Sequence, residues 1–371
     1  MEGLHLAVDA VGAKHSGAAV VLQGVLSAIS DHPGIAQTTV FTSPRSLRQF
    51  ELPAHNSIRY LDRPDAERGA FSRLLWQERG LQAALKACRC NSVLLLSGGG
   101  MPPAGVRGFS FVQQSLPFID DALQQLGLLD RIRFAVVRAT MRRSCHSAVS
   151  VIVQTDTMKQ ALCSSFHIPA ARIAVLQAPT PVLPKGTTVP SDPMSAVPFD
   201  RRLLYVGNTS VYKNLGILVD AVELVRRQLP DVVLFGTWSP EHPLCRRPGV
   251  IGIGTLKREE LGAFYRSATL FLMPSLAETV CLPLLEALSV AGCIVAADRD
   301  YAVEACGDAA EFVDASSAIA FADAICGLLS NEGRRRHLSA RAIQRHNERS
   351  LRHPSYQALI DHIVVESRRQ K

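Results

Sequence analysis

The chain has 371 residues, of which 47% are hydrophobic and 20% are charged, with Gly and Pro near their average usage. This composition excludes a disordered or fibrous protein and is typical of a globular one. Because one hydrophobic core seldom organises a chain of this length, we expect two domains of roughly 150 to 200 residues each.

Cysteine usage and the first residues predict a cytoplasmic protein. The nine cysteines are scattered, and the sequence contains no Cys-x-x-Cys pair and no Cys and His cluster with the spacing of a zinc site. The stretch MEGLHLAVDAVG lacks the basic and apolar regions of a signal peptide, and no run reaches the roughly 18 apolar residues of a membrane span. We therefore expect reduced thiols, no metal site and a cytoplasmic location.

The net charge of +7 comes from the N-terminal half. Residues 1–190 carry 19 Lys and Arg residues against 12 Asp and Glu residues, whereas residues 191–371 carry 21 of each kind. Part of the excess lies in RIRFAVVRATMRR, on the polar side of a predicted helix. Such a basic face favours anionic lipid headgroups or a phosphate-bearing acceptor, although a solvated helix face is the simpler alternative. Its arginines are Arg131, Arg133, Arg138, Arg142 and Arg143.

In the N-terminal half, short apolar runs alternate with amphipathic stretches, which is the pattern of a parallel sheet covered by helices on both faces. The first strand is predicted in LHLAVDAVG, and the helix after it in AVVLQGVLSAISDHP. Further strands are predicted in TTVFTS, NSVLLLSG and VSVIVQT, and further helices in FSRLLWQERGLQAALKAC and DTMKQALCSSF. Residues 1–180 are therefore predicted to form a doubly wound, Rossmann-like domain.

A proline-rich segment separates this half from the next. Between Ala178 and Phe199 prolines interrupt the periodicity, as is typical of an interdomain linker, and we place the linker at residues 181–199. The prolines are Pro179, Pro181, Pro184, Pro190, Pro193 and Pro198.

The alternating pattern begins again after the linker and predicts a second doubly wound domain over residues 200–350. Its strands are predicted in RRLLYVG, DVVLFG, VIGIG, TLFLMPS, CIVAADRD and AAEFVD. Its helices are predicted in LGILVDAVELVRRQLP, REELGAFYRSA and SSAIAFADAICGLLSN. Residues 351–371 contain one more helical stretch, SYQALIDHIVVESRRQK.

Two carboxylates lie on either side of a proline in the otherwise apolar stretch PSLAETVCLPLLEALSVAG. Glu278 follows a buried strand, at the edge where ligands bind to open α/β sheets. Pro283 suits the first turn of a helix, so Glu286 lies about one turn further on, and free backbone amides point at the space between the acids. Such amides hold phosphate, and the acids beside them would hold sugar hydroxyl groups. A capping carboxylate and a surface acid are the alternative interpretation.

A lysine lies at the start of another predicted helix, in YVGNTSVYKNLGILVDA. Lys213 in this position opposes the helix macrodipole, so an anion nearby explains it better than a purely structural role does. Its compact charge suits a diphosphate, and Asn208 offers side-chain hydrogen bonds at the same edge of the sheet. The sequence therefore predicts an anion site after the first strand of the C-terminal domain.

Taken in order, these motifs resemble the family 4 glycosyltransferases of the GT-B fold. The resemblance covers the whole C-terminal domain, and the N-terminal half is similar in layout through a glycine-containing loop and the segment SFVQQSLPF. It implies GT-B architecture, two facing Rossmann-like doubly wound domains with a cleft between them, with the tail helix of residues 351–371 packed back on the N-terminal domain. The matching positions are Gly207, Lys213-Asn214, Gly236, Glu278, Glu286, Val295-Ala296, Glu304 and Gly307-Asp308-Ala309.

The resemblance also implies a retaining hexosyltransferase that uses a nucleotide-diphosphate sugar and needs neither a metal nor a cofactor. Glu278 would hold the hydroxyl groups of the donor sugar near its anomeric centre, and Glu286 would bind the ribose of the nucleotide. Lys213 would neutralise the diphosphate and help the leaving group to depart. The other residues assigned to donor binding are Gly207, Asn208, Val280, Cys281 and Leu282.

Two departures from the family pattern concern this donor site. Many members carry Arg where this chain has Asn208, which leaves Lys213 as the main phosphate cation. A Gly-aromatic-Gly run is replaced by Thr279-Val280-Cys281. Arg266 or Lys257 could supply the missing charge, although surface positions are the simpler interpretation. The affinity for the diphosphate and the choice of donor depend on these positions.

The N-terminal half contributes residues assigned to the acceptor or to the loop after the first strand. Gly17 lets the backbone approach the donor or acceptor, and His15 in the same loop would contact the acceptor. Gln113, with Gln114 beside it, follows the apolar FSFV strand and would contact the sugar or the acceptor. A plain turn, an incidental histidine and strand-end polar residues are the structural alternatives.

Other functions stay open on the same fold. A nucleotide-sugar epimerase would need further acids and a histidine around the sugar, which the acid-poor N-terminal half does not favour, and an inverting transferase would need a general base such as Asp9. A catalytically silent sugar-binding partner is favoured only by the altered arginine position. The absence of G-x-G-x-x-G after the first strand argues against a dinucleotide-dependent oxidoreductase, and basic residues without interleaved aromatics argue against nucleic-acid binding.

The basic N-terminal half also bears on the acceptor. We expect a saccharide acceptor. The positive charge favours a lipid-linked one, used in the assembly of a bacterial surface polysaccharide, although a soluble acceptor fits the same residues. The protein is then expected in the cytoplasm, with peripheral contact to the anionic inner face of the cytoplasmic membrane. Closure of the two domains would exclude water from the reactive intermediate.

Overall fold

The computed structural model describes residues 3–13, 16–30, 32–43, 52–96, 98–184 and 193–369. The chain divides into two compact units. Unit 1 comprises Met1–Phe118, Leu128–Ala178 and Ser355–Lys371, and unit 2 comprises Ile119–Gly127 and Pro179–Pro354. Each unit is built on its own parallel β-sheet with helices, which confirms the predicted α/β fold class.

The strands of unit 1 are β1 (Leu4–Asp9), β2 (Ile35–Thr42), β3 (Ile58–Asp62), β4 (Ser92–Leu95), β5 (Arg107–Phe111), β6 (Ser150–Val153) and β7 (Ile173–Val175). They form one sheet in the order β3-β2-β1-β4-β5-β6-β7, and each described pair is parallel. The chain moves outward from β1 to β3 and then returns to β4 on the other side of β1, which is the doubly wound topology.

The strands of unit 2 are β8 (Arg202–Tyr205), β9 (Val233–Gly236), β10 (Val250–Gly252), β11 (Leu270–Met273), β12 (Ile294–Ala297) and β13 (Ala310–Val313). They repeat the doubly wound topology in the order β10-β9-β8-β11-β12-β13, again with parallel pairs throughout the described part. The strand order reverses between β8 and β11. In such sheets the crevice outside the carboxyl ends of these two strands is where ligands bind.

Thirteen α-helices lie in the described ranges, and none of them combines the length and apolar character needed to cross a membrane. Those before the linker are α1 (Ser16–Ser30), α2 (Ala70–Leu75), α3 (Leu81–Ala87), α4 (Asp120–Gln124), α5 (Leu128–Ser147) and α6 (Asp156–Phe166). Those after it are α7 (Leu215–Arg226), α8 (Arg258–Ser267), α9 (Leu282–Ser289), α10 (Asp300–Cys306), α11 (Ala318–Leu329), α12 (Glu332–Arg352) and α13 (Gln357–Arg368).

The core of unit 1 joins residues from both ends of the chain. Leu22 and Leu26 of α1 belong to the same buried cluster as Leu6 of β1 and Ile360 and Ile363 of α13. The apolar residues of α13 recur at helical spacing, so one face of this last helix is buried against unit 1.

Residues 119–127 belong to unit 2, although they lie in the chain between two segments of unit 1. This stretch contains α4, whose Asp121 forms an ion pair with Arg299, the residue before α10. The hydrophobic periodicity that predicts one N-terminal domain over residues 1–180 does not indicate that residues 119–127 belong to unit 2. An ion pair between residues so far apart in sequence leaves no local pattern.

Candidate functional site

The predicted donor-site residues lie at the point where the strand order of unit 2 reverses. Gly207, Asn208 and Lys213 follow the carboxyl end of β8, and Glu278 follows the carboxyl end of β11. Because β8 and β11 are neighbours in the sheet, their following loops meet at one edge. The structure therefore brings Lys213 and Glu278, which are 65 residues apart in sequence, into direct contact.

Lys213 and Glu278 form a buried ion pair in which Nζ donates a hydrogen bond to Oε1 of the carboxylate. Only 9% of the lysine side chain and 14% of the glutamate side chain are exposed. The hydroxyl of Ser275, itself fully buried, donates to the same Oε1 at 2.8 Å. Oε2 accepts no hydrogen bond from any residue of the described ranges, so one carboxylate oxygen is fixed and the other is open to a ligand.

Burial and charge act in opposite directions on Lys213. Burial disfavours the ammonium form, but the negative charge of Glu278 outweighs this effect and raises the pKa of Lys213 above its ordinary value. The lysine is therefore charged at neutral pH. In the protein without ligand, its charge is balanced by the acid assigned to the donor sugar.

The residue after the lysine explains why the two loops stay together. Asn214 has φ 59°, the left-handed conformation that Asn tolerates better than most residues, and it ends the 3₁₀ turn Val211–Lys213 before α7. Its buried side-chain amide donates to Pro274 O at 3.3 Å and to Ala315 O at 2.7 Å. The Lys-Asn pair thus combines a cation with the residue that holds the loop after β8 against the loop after β11.

Glu286 is buried one turn into α9 and has a different partner. The hydroxyl of Tyr265 on α8 lies 3.0 Å from its Oε2 and 3.2 Å from Pro283 O. Burial raises the pKa of Glu286, and the Tyr265 hydrogen bond and the charge of Arg258 oppose that rise. No hydrogen bond joins Glu286 to the Lys213–Glu278 pair in the described structure, so the two acids stand in separate environments.

The start of α9 offers backbone donors between the two acids. Cys281 is the residue before the helix, and its side chain makes no capping hydrogen bond. Within the described residues, the backbone N–H groups of Val280 and Cys281 have no acceptor, whereas that of Leu282 bonds to Val280 O at 3.1 Å. Unsatisfied N–H groups at the positive end of a helix dipole suit an anion.

Gly207 and Asn208 shape the loop after β8. A Cβ atom at Gly207 would lie 2.6 Å from the hydroxyl of Tyr205, and φ of 155° is a conformation that other residues rarely adopt. The hydroxyl of Thr237 accepts from Gly207 N at 2.9 Å and donates to Gly207 O at 3.1 Å. Asn208 is exposed, and its Oδ1 accepts from the backbone N–H of Ser210 at 3.0 Å, so it closes a local turn.

Of the two cations that could replace the family arginine, Arg266 has a backbone partner and Lys257 is exposed. Arg266 donates to Pro184 O at 3.3 Å, and Lys257 precedes α8, with its backbone N–H bonded to Glu260 at 2.8 Å. The structure brings neither to Lys213. No group of three or more His, Cys, Asp or Glu side chains that could hold a metal ion occurs in the described ranges.

In unit 1 the predicted residues fall in separate places. His15 lies outside the described residues, and Gly17 is exposed in the first turn of α1. Gln113 follows β5 and donates from Nε2 to Leu96 O at 2.8 Å, a bond that links the ends of two neighbouring strands, and Gln114 beside it is exposed. Their assignment to the acceptor stays a prediction.

Asp9, the candidate general base of an inverting transferase, is almost fully buried at the end of β1. Its Oδ1 accepts from Trp76 Nε1 at 3.2 Å and from the backbone N–H of Val11 at 3.4 Å. Burial raises its pKa to about 6, against the effect of these hydrogen bonds. A buried carboxylate that already fixes the loop after β1 fits a structural role better than a catalytic one.

Sequence reasoning missed the side chains that orient the two acids. Ser275 orients Glu278, and it is held in turn by Tyr301, whose hydroxyl donates to Ser275 O at 2.8 Å. Tyr265 orients Glu286 from a helix that precedes it by 21 residues. Ser275 follows a predicted strand end directly and could have been found there, whereas nothing in REELGAFYRSA distinguishes Tyr265 from a core aromatic residue.

Comparison with known proteins finds a family match within unit 2. Residues 200–331 match the model of a family described as glycosyl transferases group 1. The O-antigen chain mannosyltransferase B of Escherichia coli is 24% identical over 233 residues, which cover 58% of this chain and 60% of that protein. The chain thus aligns with less than two thirds of the relative's length.

Solved structures show the same fold over the whole chain. WaaG, a glycosyltransferase involved in lipopolysaccharide biosynthesis, superposes with a TM-score of 0.72 at 14% identity, covering 97% of this chain and 99% of that one. Anabaena Alr3699/HepE, solved in complex with UDP and glucose, superposes with a TM-score of 0.65 at 14% identity, covering 98% and 99%. The chain therefore has the GT-B fold, and its residues 200–331 are similar to the glycosyl transferases group 1 family.

Proposed function

We propose that this protein is a glycosyltransferase that moves a sugar from a nucleotide-diphosphate sugar to a saccharide acceptor. The observation that carries the proposal is the buried Lys213–Glu278 pair at the reversal point of a group 1 transferase sheet. A buried charge pair is a weak source of stability, so its presence at the ligand-binding edge favours a functional explanation.

The donor would be divided among three groups of atoms. Lys213 and the free amides of Val280 and Cys281 would hold the diphosphate, the open oxygen of Glu278 would accept hydrogen bonds from the sugar, and Glu286 would accept them from the ribose. The positive charge would stabilise the nucleoside diphosphate as it leaves. Lys213 and these amides would neutralise the charge of the diphosphate in place of a divalent metal, so transfer is expected to be metal-independent.

The stereochemical outcome belongs to the proposal as well. A retaining transferase of this kind uses the departing phosphate to accept the proton of the incoming hydroxyl group, and it therefore needs no separate protein base. Asp9, the candidate base for inversion, is buried and already hydrogen-bonded. We expect the product to keep the anomeric configuration of the donor.

The acceptor is proposed to be a lipid-linked saccharide of a bacterial surface polysaccharide. The similar E. coli protein is an O-antigen chain mannosyltransferase, and WaaG is a glycosyltransferase involved in lipopolysaccharide biosynthesis. The excess of positive charge in residues 1–190 suits an acceptor presented at an anionic membrane surface. The protein would then act in the cytoplasm as a peripheral membrane protein.

Ligand-induced thermal shift across a panel of nucleotide-diphosphate sugars tests the donor site. One donor should stabilise the wild type by about 3 kcal/mol when its concentration is about 100 times the dissociation constant. Lys213→Ala and Glu286→Gln should lose this shift, each measured against its own unfolding temperature without ligand. Lys257→Ala is the matched control, because it removes an exposed cation of the same unit.

Product analysis with the identified donor then tests the reaction. NMR of the anomeric proton should show retention, and EDTA should leave the rate unchanged. If none of the nucleotide sugars shifts the wild type while the protein is folded, the proposal fails, and the chain is better explained as a silent partner in an assembly complex.

A further inference from the structure

The first half of α5 (Leu128–Ser147) exposes apolar side chains to solvent. Leu128 is 73% exposed, Leu129 83%, Ile132 54% and Val136 46%. At about 100° per residue, these four positions fall within an arc of about 100° on one side of the helix. We call these four residues the α5 stripe.

Arginines border the α5 stripe on both sides. At the same angular spacing, Arg131, Arg138 and Arg142 fall along one border and Arg133 along the other. Arg142 is exposed and forms no ion pair or hydrogen bond with any residue in the described ranges. Apolar side chains flanked by cations are typical of helices that lie in the interface of a membrane.

The later part of α5 also borders a cavity of about 860 Å³. Its wall includes Arg138, Arg142 and Arg143, with Phe166 as part of its apolar surface. Arg138 is fixed by a 2.8 Å hydrogen bond to Pro117 O and lies 5.9 Å from the centroid of the Phe166 ring. Arg143 is already paired with Glu78, so Arg142 is the arginine that the cavity offers to a phosphate, on the same helix as the apolar stripe.

We propose that the α5 stripe inserts into the interface of an anionic bilayer, with the bordering arginines among the lipid phosphates and one headgroup in the adjoining cavity. The stems of the arginines can lie along the apolar surface while their guanidinium groups reach the phosphates. This inference rests on the proposed function, because it identifies the surface through which the enzyme would reach a membrane-borne acceptor.

Charge favours a membrane over a second copy of this chain as the occupant. A symmetric dimer would use the same patch on both subunits and would place the arginines of one α5 beside those of the other. Like charges in that position repel one another. An anionic lipid surface instead supplies phosphates to both borders of the stripe.

Co-sedimentation of the full chain with vesicles tests the surface. Vesicles of phosphatidylglycerol and phosphatidylcholine should bind the wild type, and vesicles of phosphatidylcholine alone should bind it far more weakly. Leu129→Asp combined with Ile132→Asp should weaken binding by at least about tenfold, since two buried apolar side chains are lost. Leu351→Asp is the matched control, because Leu351 is an equally exposed leucine of α12 in unit 2.

Three results would overturn the inference. The double variant could bind as well as the wild type, or binding by the wild type could vanish entirely in 1 M salt, which would leave no apolar part. The wild type could also ignore anionic vesicles and form a dimer that the variant abolishes. The unfolding temperature and the donor-induced thermal shift should be unchanged in the double variant. Failure of the membrane-insertion hypothesis is thereby distinguished from failure of the proposed donor site.

Discussion

The ion pair of Lys213 and Glu278 can be tested by a double-mutant cycle on stability. Because less than a sixth of either side chain is exposed, removing one partner leaves the other charge buried without a counterion. Breaking a buried pair costs about 3 to 5 kcal/mol, whereas replacing both partners by neutral groups of similar volume is often nearly neutral. We take the low end, because Ser275 still donates to the carboxylate.

Lys213→Met and Glu278→Gln should therefore each lower the free energy of unfolding of unit 2 by about 3 kcal/mol. The double variant should lose less than about 1.5 kcal/mol. Urea unfolding followed by tryptophan fluorescence measures this, since Trp76 lies in unit 1 and Trp238 in unit 2. A Trp76→Phe background leaves Trp238 as the sole reporter of unit 2.

A more exposed pair of the same unit provides the control. Arg334 and Glu311 are 51% and 24% exposed, so Arg334→Met and Glu311→Gln should show a coupling energy below about 1 kcal/mol. If the coupling of Lys213 and Glu278 is equally small, the pair behaves as a solvated one and the reasoning from burial is refuted. The double variant should regain stability without regaining the donor-induced thermal shift, which separates folding from ligand binding.

Three further predictions concern the neighbouring residues. Burial raises the pKa of Asp9 from an ordinary 3.8 to about 6, so its contribution to stability is full below pH 4 and is lost as pH rises through 6. In the wild type this loss lowers the free energy of unfolding by about 3 kcal/mol between pH 4 and pH 7, and Asp9→Asn should abolish that loss. Urea unfolding across this pH range measures it. Gly207→Ala should destabilise unit 2 by about 1 to 3 kcal/mol, because the new Cβ atom clashes with the Tyr205 hydroxyl. Gly216→Ala is the control and should be neutral or stabilising, because the space around its Cβ is open. Calorimetry of the two variants measures the difference in stability. Tyr265→Phe should raise the pKa of Glu286 further, because the hydrogen bond that opposes the effect of burial is lost. Under the proposed function it should weaken donor binding about tenfold, and more at low pH, with kcat nearly unchanged. A KM for the donor that stays constant across pH would contradict this.

The central strands could be predicted from sequence because they are buried on both faces. LHLAVD and TLFLM are almost continuous apolar runs, and they become β1 and β11 in the middle of their sheets. β3 and β7 were not predicted, and they are the two edge strands of unit 1. Only the first residue of each strand is buried and the others are partly or fully exposed, so the apolar run that identifies a central parallel strand is missing.

The candidate site was predictable as an edge but not as a set of contacts. Strand ends followed by Lys213 and by Glu278 place both residues at the carboxyl edge, which depends only on the sheet being parallel. The two side chains touch because β8 and β11 are neighbours in the sheet. This strand order is a property of the whole domain and cannot be read from local sequence. Tyr265 reaches Glu286 from a helix on the face of the sheet, a relation set by packing rather than by sequence spacing.

The ion pair also bears on how a donor would be recognised under the proposed function. Without ligand, Lys213 and Glu278 satisfy each other, so a diphosphate that draws the lysine away leaves the carboxylate buried and poorly compensated. The hydroxyl groups of a sugar attached to that diphosphate would donate to the open oxygen of Glu278 and offset this cost. A nucleotide sugar therefore satisfies both members of the pair, whereas a nucleoside diphosphate satisfies one. The intact donor should bind more tightly than the product that remains after transfer, and titration calorimetry with each ligand would show it.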